Sequence, residues 1–480
     1  MSCLFVMAIV QLRRLSMKSL SLLILALIPS CSDVSAQSTW VRVFGGASED
    51  RVVCVSSLPD GTYMLAGTTR SYDSDFSHTS CARDQGAWMD TYGFLMHIDD
   101  QGRMIRASCM PEAPGKIVNH MSIANGNQVV VSGTIVRHSF DGSNGGLFDA
   151  ATEIYSVHDM AIQKLYSFPG TAEEYSRSHA ITNDSCIVVT GYTSSNDDFF
   201  RGMNKMKEHS SHDVFLVKVG PKGEIRWKKT FGGSASDQGL AIDWAPRMGI
   251  VLAGNFESSD GDFRSAKREG WSDAFLSRHN QLGELIWIRT MGGSQHDHIA
   301  SVAISGDSEI VVVGTISSRN RHFTSEADTN SAGWFMAKYD ASGIERWRLN
   351  LNGIGVGDHG LKIDSVGNIF VAGSIEDAHG NDLLQDDRRS DILIRKYSSD
   401  GEVLWSTTLG GRGTEHATAI CFAKDGGIVV AGQTVGDKGD QFNDGIFSGL
   451  GKGVPNDNLQ NGHDVFVIKL DRNGKLMPKN

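Results

Sequence analysis

The hydrophobic residues of this chain recur with a long period. Seven short apolar runs each end in a glycine, and successive glycines lie 58 to 66 residues apart. The closing residues are Gly67, Gly133, Gly191, Gly254, Gly314, Gly373 and Gly432. Self-similarity at a nearly fixed spacing is typical of repeat proteins. The pattern therefore predicts a single array of seven similar units rather than several unrelated domains.

Each repeat contains the signals for four strands. In the unit that spans residues 287–351, alternating residues from Ile299 to Ile304 predict a first strand, and the apolar run Ile310–Val313 predicts a second. Residues 334–339 predict a third strand, which a short turn connects to a fourth at residues 344–349. Consecutive strands with such connections favour an antiparallel four-stranded sheet.

The turn before the fourth strand has its own signature, a glycine followed four residues later by a tryptophan. Gly283 and Trp287 are one such pair, and the same spacing recurs at Trp227, Trp347 and Trp405. The glycine permits a tight turn, and the indole is expected to pack against the neighbouring sheet. Arg106 replaces the tryptophan in the most divergent repeat.

One repeat is divided between the two chain ends. Residues 471–477 begin the closing turn without its tryptophan, and residues 40–46, which start with Trp40, supply the remainder. Joining the two parts would complete the last sheet and leave no open end to the array. The sequence therefore predicts an all-β protein, a seven-bladed β-propeller of four-stranded antiparallel blades, closed by pairing of the N- and C-terminal segments. Residues 37–480 would form this single domain.

The repeats resemble those of bacterial secreted β-propellers of the kind common in Bacteroidota. Residues 425–432 (DGGIVVAG) and 463–471 (HDVFVIKLD) carry the resemblance most clearly, and it covers about residues 40–480. It is specific for the fold. It implies little about function, because such domains occur in lipoproteins, cell-surface modules and uncharacterised exported proteins.

Residues 1–36 are predicted to be a signal peptide. Three basic residues within positions 13–18 precede the apolar run Leu20–Ile28, and small residues follow. Cleavage before Gln37 would release a free protein, whereas residues 28–31 resemble a bacterial lipobox that would leave a lipid on Cys31. Both alternatives stay open. The expected location is the periplasm, the outer membrane as a lipoprotein, or the cell exterior.

Charge and cysteine content narrow the partners. The net charge of -11 without a basic block argues against nucleic acid, and against membrane contact other than through a lipid on Cys31. We expect a monomer that contacts protein or glycan at one mouth of the propeller.

Cys54, Cys186 and Cys421 lie in apolar runs and are predicted to be buried. Cys81 and Cys109 could form a disulfide, although spacing alone does not fix the pairing.

An acidic residue precedes the closing glycine by 17 positions in five repeats and by 15 in a sixth. The series is Asp50, Glu174, Asp237, Asp297, Asp358 and Glu415. In a propeller these residues would lie near the start of the innermost strands. The favoured interpretation is structural, with each carboxylate accepting N–H bonds from a Gly-Gly turn. The alternative is a cation at the axis.

Other candidates for metal binding are weaker. His298, His359 and His416 directly follow three of these acids, and polar packing is favoured over a histidine metal cluster. Loops such as Asp260–Phe263 (DGDF) and residues 437–440 resemble fragments of calcium loops but lack the full ligand series, so turn chemistry explains them better. The metal ligands, if any, are unknown from sequence, and no cofactor is predicted.

No catalytic motif is evident, so no catalytic residue is assigned. The favoured function is an exported, noncatalytic propeller that acts as a binding or scaffold module for protein or glycan at the cell envelope. The alternative is a hydrolase or lyase that acts on extracellular polysaccharide with carboxylates at the axis. A catalytic pocket should bring unlike residues from several blades together, whereas a scaffold should present repeated ones.

Overall fold

The computed structural model describes residues 38–79, 91–110, 115–137, 147–205, 211–317, 333–376, 390–411, 413–435, 445–447 and 463–477. The signal segment with Cys31 and Gln37, Cys81 and the acidic loop at residues 437–440 lie outside these ranges. Residues Thr39–Asn480 belong to one compact unit. No helix within the described ranges is long and apolar enough to cross a membrane.

The described residues form antiparallel four-stranded groups, which we number as blades in chain order. Blade 1 comprises β2 (Asp50–Ser57), β3 (Tyr63–Thr69), β4 (Tyr92–Ile98) and β5 (Met104–Cys109), and blade 2 comprises β6 (Lys116–Ala124), β7 (Gln128–Arg137), β8 (Leu147–Ser156) and β9 (Ile162–Phe168). Blade 3 comprises β10 (Glu174–Ile181), β11 (Ile187–Thr193), β12 (Asp213–Val219) and β13 (Ile225–Phe231). Blade 4 comprises β14 (Asp237–Ala245), β15 (Gly249–Phe256), β16 (Asp273–His279) and β17 (Leu285–Met291).

Blade 5 comprises β18 (Asp297–Ile304), β19 (Ile310–Ile316), β20 (Gly333–Tyr339) and β21 (Glu345–Asn350). Blade 6 comprises β22 (Ile354–Ile363), β23 (Ile369–Glu376), β24 (Ser390–Tyr397) and β25 (Val403–Leu409). Blade 7 comprises β26 (Thr414–Phe422), β27 (Ile428–Val435), β28 (Asp464–Leu470) and β1 (Trp40–Phe44). A single parallel pair, His359 with Ala419, joins blades 6 and 7 into one sheet.

Neighbouring blades contact each other through their innermost strands, in the order β2, β6, β10, β14, β18, β22 and β26. Strand β26 also contacts β2. Strand β1 pairs antiparallel with β28, from Trp40 opposite Lys469 to Phe44 opposite Val465. Radial four-stranded sheets whose first strands adjoin around an axis constitute a β-propeller.

Burial explains why the second strand of each blade is the most apolar. Along β19 every residue except Thr315 is buried, because the blade is covered on both faces by its neighbours. The glycine within this strand has a steric cause. A Cβ on Gly314 would lie 2.2 Å from the carbonyl oxygen of His298 and 2.8 Å from the Phe335 ring. The recurring glycine therefore marks the closest approach of the first two strands.

Tryptophans make the contact between neighbouring blades at five of the seven junctions. Trp287 Nε1 donates to the Ala341 carbonyl at 3.1 Å, and its ring packs on Gly343, whose positive φ of 74° suits glycine. Trp40 makes the same contact with the blade 1 turn, donating to the Asp100 carbonyl at 2.9 Å. The remaining junctions are Arg106 to Asp159, Tyr166 to Gly223, Trp227 to Gln281, Trp347 to Ser399 and Trp405 to Gly474.

Candidate functional site

The innermost strands surround a central cavity of about 490 Å³. In six of them one unpaired residue forms a β-bulge at the same register. The bulge residues that line the cavity are Val53, Asn119, Arg177, Leu240 and Ala300, and Thr418 lines an adjoining pocket. A bulge redirects a side chain out of the sheet pattern. The supporting framework is repeated, but the side chains presented at this register differ from blade to blade.

Strand β22 departs from the other innermost strands. Its four residues Gly357–Gly360 stand opposite the single residue Ala372, and they carry Asp358 and His359 into the cavity. Gly360 permits this path, because a Cβ there would lie 2.1 Å from the Ala372 carbonyl oxygen. Because this bulge is longer, the number of residues between the start of β22 and the closing Gly373 differs from that in the other blades.

The spacing back from Gly373 predicts that Asp358 belongs to the acidic series, but the strand register places Ile354 at the equivalent position. Ile354 pairs with Ile375 two residues after the closing glycine, as Asp297 pairs with Ile316 in blade 5. Asp358 is exposed and lines the cavity. Counting back from Gly373 failed because the number of bulged residues differs between blades.

The other acids of the series lie buried at the start of the innermost strands. Asp237 accepts hydrogen bonds from the Gly233 N–H at 2.9 Å and from the Ser258 hydroxyl at 2.7 Å. Asp50, Asp297 and Glu415 accept N–H bonds from Gly46, Gly293 and Gly411, and Glu174 accepts from the Thr193 hydroxyl. Burial raises the pKa of both Asp50 and Asp237 to about 7. None of these five residues lines the central cavity as described.

The acidic loops outside the first strands also bond to backbone N–H groups. Asp260 accepts from the Ser234 N–H at 2.7 Å, and Asp262 accepts from the Gly232 N–H at 2.9 Å. A short 3₁₀ turn then buries Phe263. Blade 1 repeats the arrangement, in which Asp75 accepts from Gly45. These carboxylates thus link the loop to the turn between blades.

Four histidines line the central cavity, whereas the sequence had singled out only two of them. His298 and His359 lie there with His120 and His179, and His416 borders the adjoining pocket. The ring centroids of His120 lie 4.3 Å from those of His179 and 4.9 Å from those of His359. No repeat spacing could have revealed His120 or His179, because each occurs in one blade only.

Two of these histidines have lowered pKa values. His179 lies between the hydroxyls of Ser122 at 2.6 Å and Ser132 at 2.8 Å, and burial lowers its pKa to about 3. His120 Nδ1 accepts the backbone N–H of His179 at 3.1 Å, and burial holds its pKa well below the ordinary value. Both rings are therefore uncharged at neutral pH.

One histidine spans the axis. His359 Nε2–H donates to the carbonyl oxygen of Asn119 at 2.8 Å, which links blade 6 directly to blade 2. Burial lowers its pKa, against the nearby charge of Asp358. The stacked rings and this bond fill part of the axis with groups that belong to no repeat.

The charged residues of the cavity differ in how they are satisfied. Asp243 accepts backbone N–H bonds from Ile304 and Trp244, each at 2.7 Å. Arg177 Nε is buried and has no hydrogen-bond partner among the described residues. Lys362 and Asp358 are exposed. The cavity can therefore hold a polar ligand by hydrogen bonds and by charge.

Neither the histidines nor the acids form a recognisable metal centre within the described ranges, where no group of three or more His, Cys, Asp or Glu side chains could hold an ion. Cys54, Cys186 and Cys421 are buried free thiols, as predicted. Cys109 is disulfide-bonded. Cys81, its predicted partner, lies outside the described residues.

The fold and the cavity define the class of protein, an all-β propeller with an axial site. Comparison with known proteins adds modest likenesses. No family model matches the chain. The regulatory protein FlaEY of Caulobacter vibrioides is 24% identical over 190 residues, which cover 38% of this chain and 20% of FlaEY.

An uncharacterized WD repeat-containing protein, L264, of Acanthamoeba polyphaga mimivirus is 22% identical over 276 residues. That match covers 46% of this chain and 20% of L264. The chain thus spans about a fifth of the length of each of these curated relatives.

Among solved structures, the Neurospora crassa Pan2 WD40 domain is similar with a TM-score of 0.43 at 11% identity, covering 88% of this chain and 90% of that one. The β-propeller domain of the Trilobed protease from Pyrococcus furiosus has a TM-score of 0.41 at 11% identity, covering 80% and 91%.

Proposed function

We propose that this chain is an exported seven-bladed propeller that binds a ligand in its central cavity without transforming it. The observation that carries the proposal is the contrast at the bulge register. The framework acids and glycines repeat, while the side chains that face the cavity are unlike. A cavity shaped only by the repeat would present similar residues from each blade, whereas a binding site needs particular groups at particular places.

Contacts between the first and the last strands of the chain support closure of the ring. Strand β1 completes the four strands of blade 7, the first and last innermost strands touch, and Trp40 contacts the turn of blade 1. The buried cluster that contains Trp40 also draws residues from β3 and β27, such as Leu65 and Val429. These contacts support a closed seven-bladed ring that could act as a rigid monomeric frame.

Export is supported by the leader sequence and by the disulfide at Cys109, because disulfides persist in oxidising compartments. We infer a bacterial envelope protein of the Bacteroidota type, either lipidated at Cys31 or cleaved before Gln37. Mass spectrometry of protein purified from its native host checks this. We expect an N-terminus at Cys31 with lipid or at Gln37 without it. Recovery of an N-terminus at Met1 or at Met17 would exclude both forms.

The partner we favour is a protein or a glycan that inserts one end into the cavity. Partial closure of the cavity tests this. Ala300 is the bulge residue of β18 and lines the cavity, so Ala300→Phe should fill part of it. Ile286→Phe, on the exposed outer strand of blade 4, is the matched control.

Envelope glycans and peptides would be screened for binding to the full-length protein and to both variants. We expect A300F to weaken binding at least tenfold and I286F to leave it unchanged. Equal binding by all three proteins would show that the ligand binds elsewhere.

A second candidate, a polysaccharide lyase, is favoured by the same convergence of unlike residues. In such a reaction a neutral imidazole would take the proton α to a uronate carboxylate while the glycosidic C–O bond breaks, and the leaving oxygen would gain a proton. A hydrolase is less well supported. It requires two acting carboxylates, and of the two described in the cavity Asp243 is bonded to backbone N–H groups.

The lyase is tested by incubating the protein with polyuronates and following the ultraviolet absorbance of the unsaturated product. The noncatalytic proposal predicts no increase above a buffer blank. A rate of product formation that depends on His298 or His359 would replace the noncatalytic proposal with the lyase.

A further inference from the structure

We propose that the central cavity recognises a carboxylate carried on a sugar-sized polar body, with Arg177 and Lys362 as its anion-binding residues. This inference rests on the proposed binding function and adds the chemical class of the ligand. A free uronic acid and the uronate end of a glycan share this chemistry.

Arg177 is the strongest indication. It is the bulge residue of β10, and it lines the cavity with an Nε donor that is buried and has no partner among the described residues. Buried donors in proteins are normally satisfied, because an unpaired donor loses its hydrogen bonds to water without a replacement. A guanidinium group matches a carboxylate with two parallel hydrogen bonds. The unsatisfied donor is therefore best explained by a ligand that accepts from it.

Lys362 supplies a second positive charge from another blade. It lies on β22 of blade 6, whereas Arg177 lies on β10 of blade 3, and both line the cavity. Burial is the main cause of the lowered pKa of His359, and the charges of Lys362 and Arg177 lower it further. Both cations thus act on one ring at the axis. Two cations that approach from different blades favour an anion between them.

The neighbouring groups suit the hydroxyls of a sugar better than a second charge. The imidazoles of His120 and His179 are neutral, and the lining includes the hydroxyl side chains of Ser178 and Ser301. A volume of about 490 Å³ lies within the range of small-molecule sites. Such a mixture of neutral donors and acceptors can bind several hydroxyl groups at once.

Asp358 restricts the choice of anion. Its exposed carboxylate lines the same cavity as the two cations. A ligand with one carboxylate can bind Arg177 while its hydroxyls donate to Asp358. A second negative charge would meet Asp358 and be repelled. The cavity is therefore suited to monoanions.

Titration calorimetry on the full-length protein tests the inference, with D-glucuronate as the probe and D-glucose as its neutral match. We expect glucuronate to bind at least tenfold more tightly than glucose. Arg177→Gln should weaken glucuronate binding tenfold or more, and Lys362→Gln should weaken it by a smaller factor. Asp358→Asn should strengthen binding because it removes the opposing charge.

Arg226→Gln is the matched control, since Arg226 belongs to the same blade and lies exposed on its outer strand beside Glu224. It should leave binding unchanged. Thermal melting shows whether each variant is folded. If R177Q fails to fold, Lys362→Gln and Asp358→Asn still test the inference, because their effects should have opposite signs.

The source of the carboxylate is distinguished by a second titration with cellobiouronate, a disaccharide whose single carboxylate lies on its terminal glucuronate. Tighter binding of the disaccharide than of glucuronate indicates a glycan end, and equal binding indicates the free acid. Glucuronate that binds no better than glucose would overturn the inference.

That failure is distinguishable from failure of the proposed function. If another glycan or peptide still binds and Ala300→Phe abolishes its binding, the cavity is a binding site with a different ligand chemistry. If no ligand responds to A300F, both proposals fall.

Discussion

Asp237 and Asp358 are the same residue type, and the sequence assigned them the same role, but they occupy different environments. Asp237 is buried among backbone and hydroxyl donors, whereas Asp358 is exposed in the cavity. The repeat spacing identified the first correctly as a position at the start of an innermost strand. It misplaced the second because bulge length is a property of three-dimensional register. His120 and His179 were missed for a related reason, since single occurrences leave no periodic trace.

The structural role predicted for the buried acids can be tested with this pair. Asp237→Ala should leave the Gly233 N–H and the Ser258 hydroxyl without their acceptor, at a cost of about 1–3 kcal/mol in unfolding free energy. Asp358→Ala is the control, and an exposed substitution should change stability by no more than about 0.5 kcal/mol. Denaturant unfolding measures both. Equal effects of the two substitutions would contradict the distinction.

His179 should make stability depend on pH. Its pKa is about 3 in the folded protein against an ordinary 6.5, so the unfolded chain binds the proton more readily. The stabilisation is present above pH 6.5 and is lost as the pH falls towards 3. Relative to His179→Gln, which cannot titrate, the wild-type protein should lose on the order of 3 kcal/mol between pH 7 and pH 4.

The measurement is urea unfolding at several pH values. His158→Gln, at an exposed position, is the control and should give a curve parallel to the wild type. A wild-type curve parallel to that of H179Q would show that this ring does not resist protonation.

At the scale of strands and turns, the sequence was more informative. Apolar runs, glycines and turn residues predicted the strands of each blade because one local rule recurs, and repetition makes a weak local signal visible. Residues that replace tryptophan broke the pattern without breaking the contact. Arg106 and Tyr166 still reach the turn of the next blade. The equivalence of Arg106 and Tyr166 to the tryptophans is visible only in the structure, because it depends on the contact between blades and not on the residue type.

The tryptophan contact predicts a stability difference within one strand. Trp287→Ala removes an indole that packs on Gly343 and donates to Ala341, and should destabilise the protein by about 2–3 kcal/mol, less than a fully buried tryptophan. Its neighbour Ile286 is 50% exposed, so Ile286→Ala is the matched control and should cost far less. Thermal and denaturant melts compare the two. Similar midpoints would show that the contact between blades contributes little.

At the scale of the whole molecule, the divided last repeat was the decisive sequence feature. It predicted that the N-terminal segment pairs with the C-terminal one, and β1 does pair with β28. The cavity could not be foreseen in the same way. Its lining comes from bulges in separate blades, and which of these side chains meet depends on how the blades are arranged around the axis.

Removal of residues 37–46 tests the contribution of β1. The deletion would uncover the edge of β28 and remove Trp40 from a buried cluster, so we expect a marked loss of stability and a tendency to associate through the open edge. Melting temperature and size-exclusion chromatography report the two effects. The single substitution Trp40→Ala should give a smaller loss without association. An unchanged melting temperature for the deletion would mean that β1 does not stabilise the last blade.

The pairing of β1 with β28 also sets an order of events during biosynthesis. The first strand to leave the ribosome or a translocation channel is the last to find its partner, since that partner is made more than four hundred residues later. Throughout this interval the strand is free to pair with the β28 of another copy. Crowded nascent chains should therefore exchange this strand, and dilution or a holding chaperone should favour the self-contained monomer.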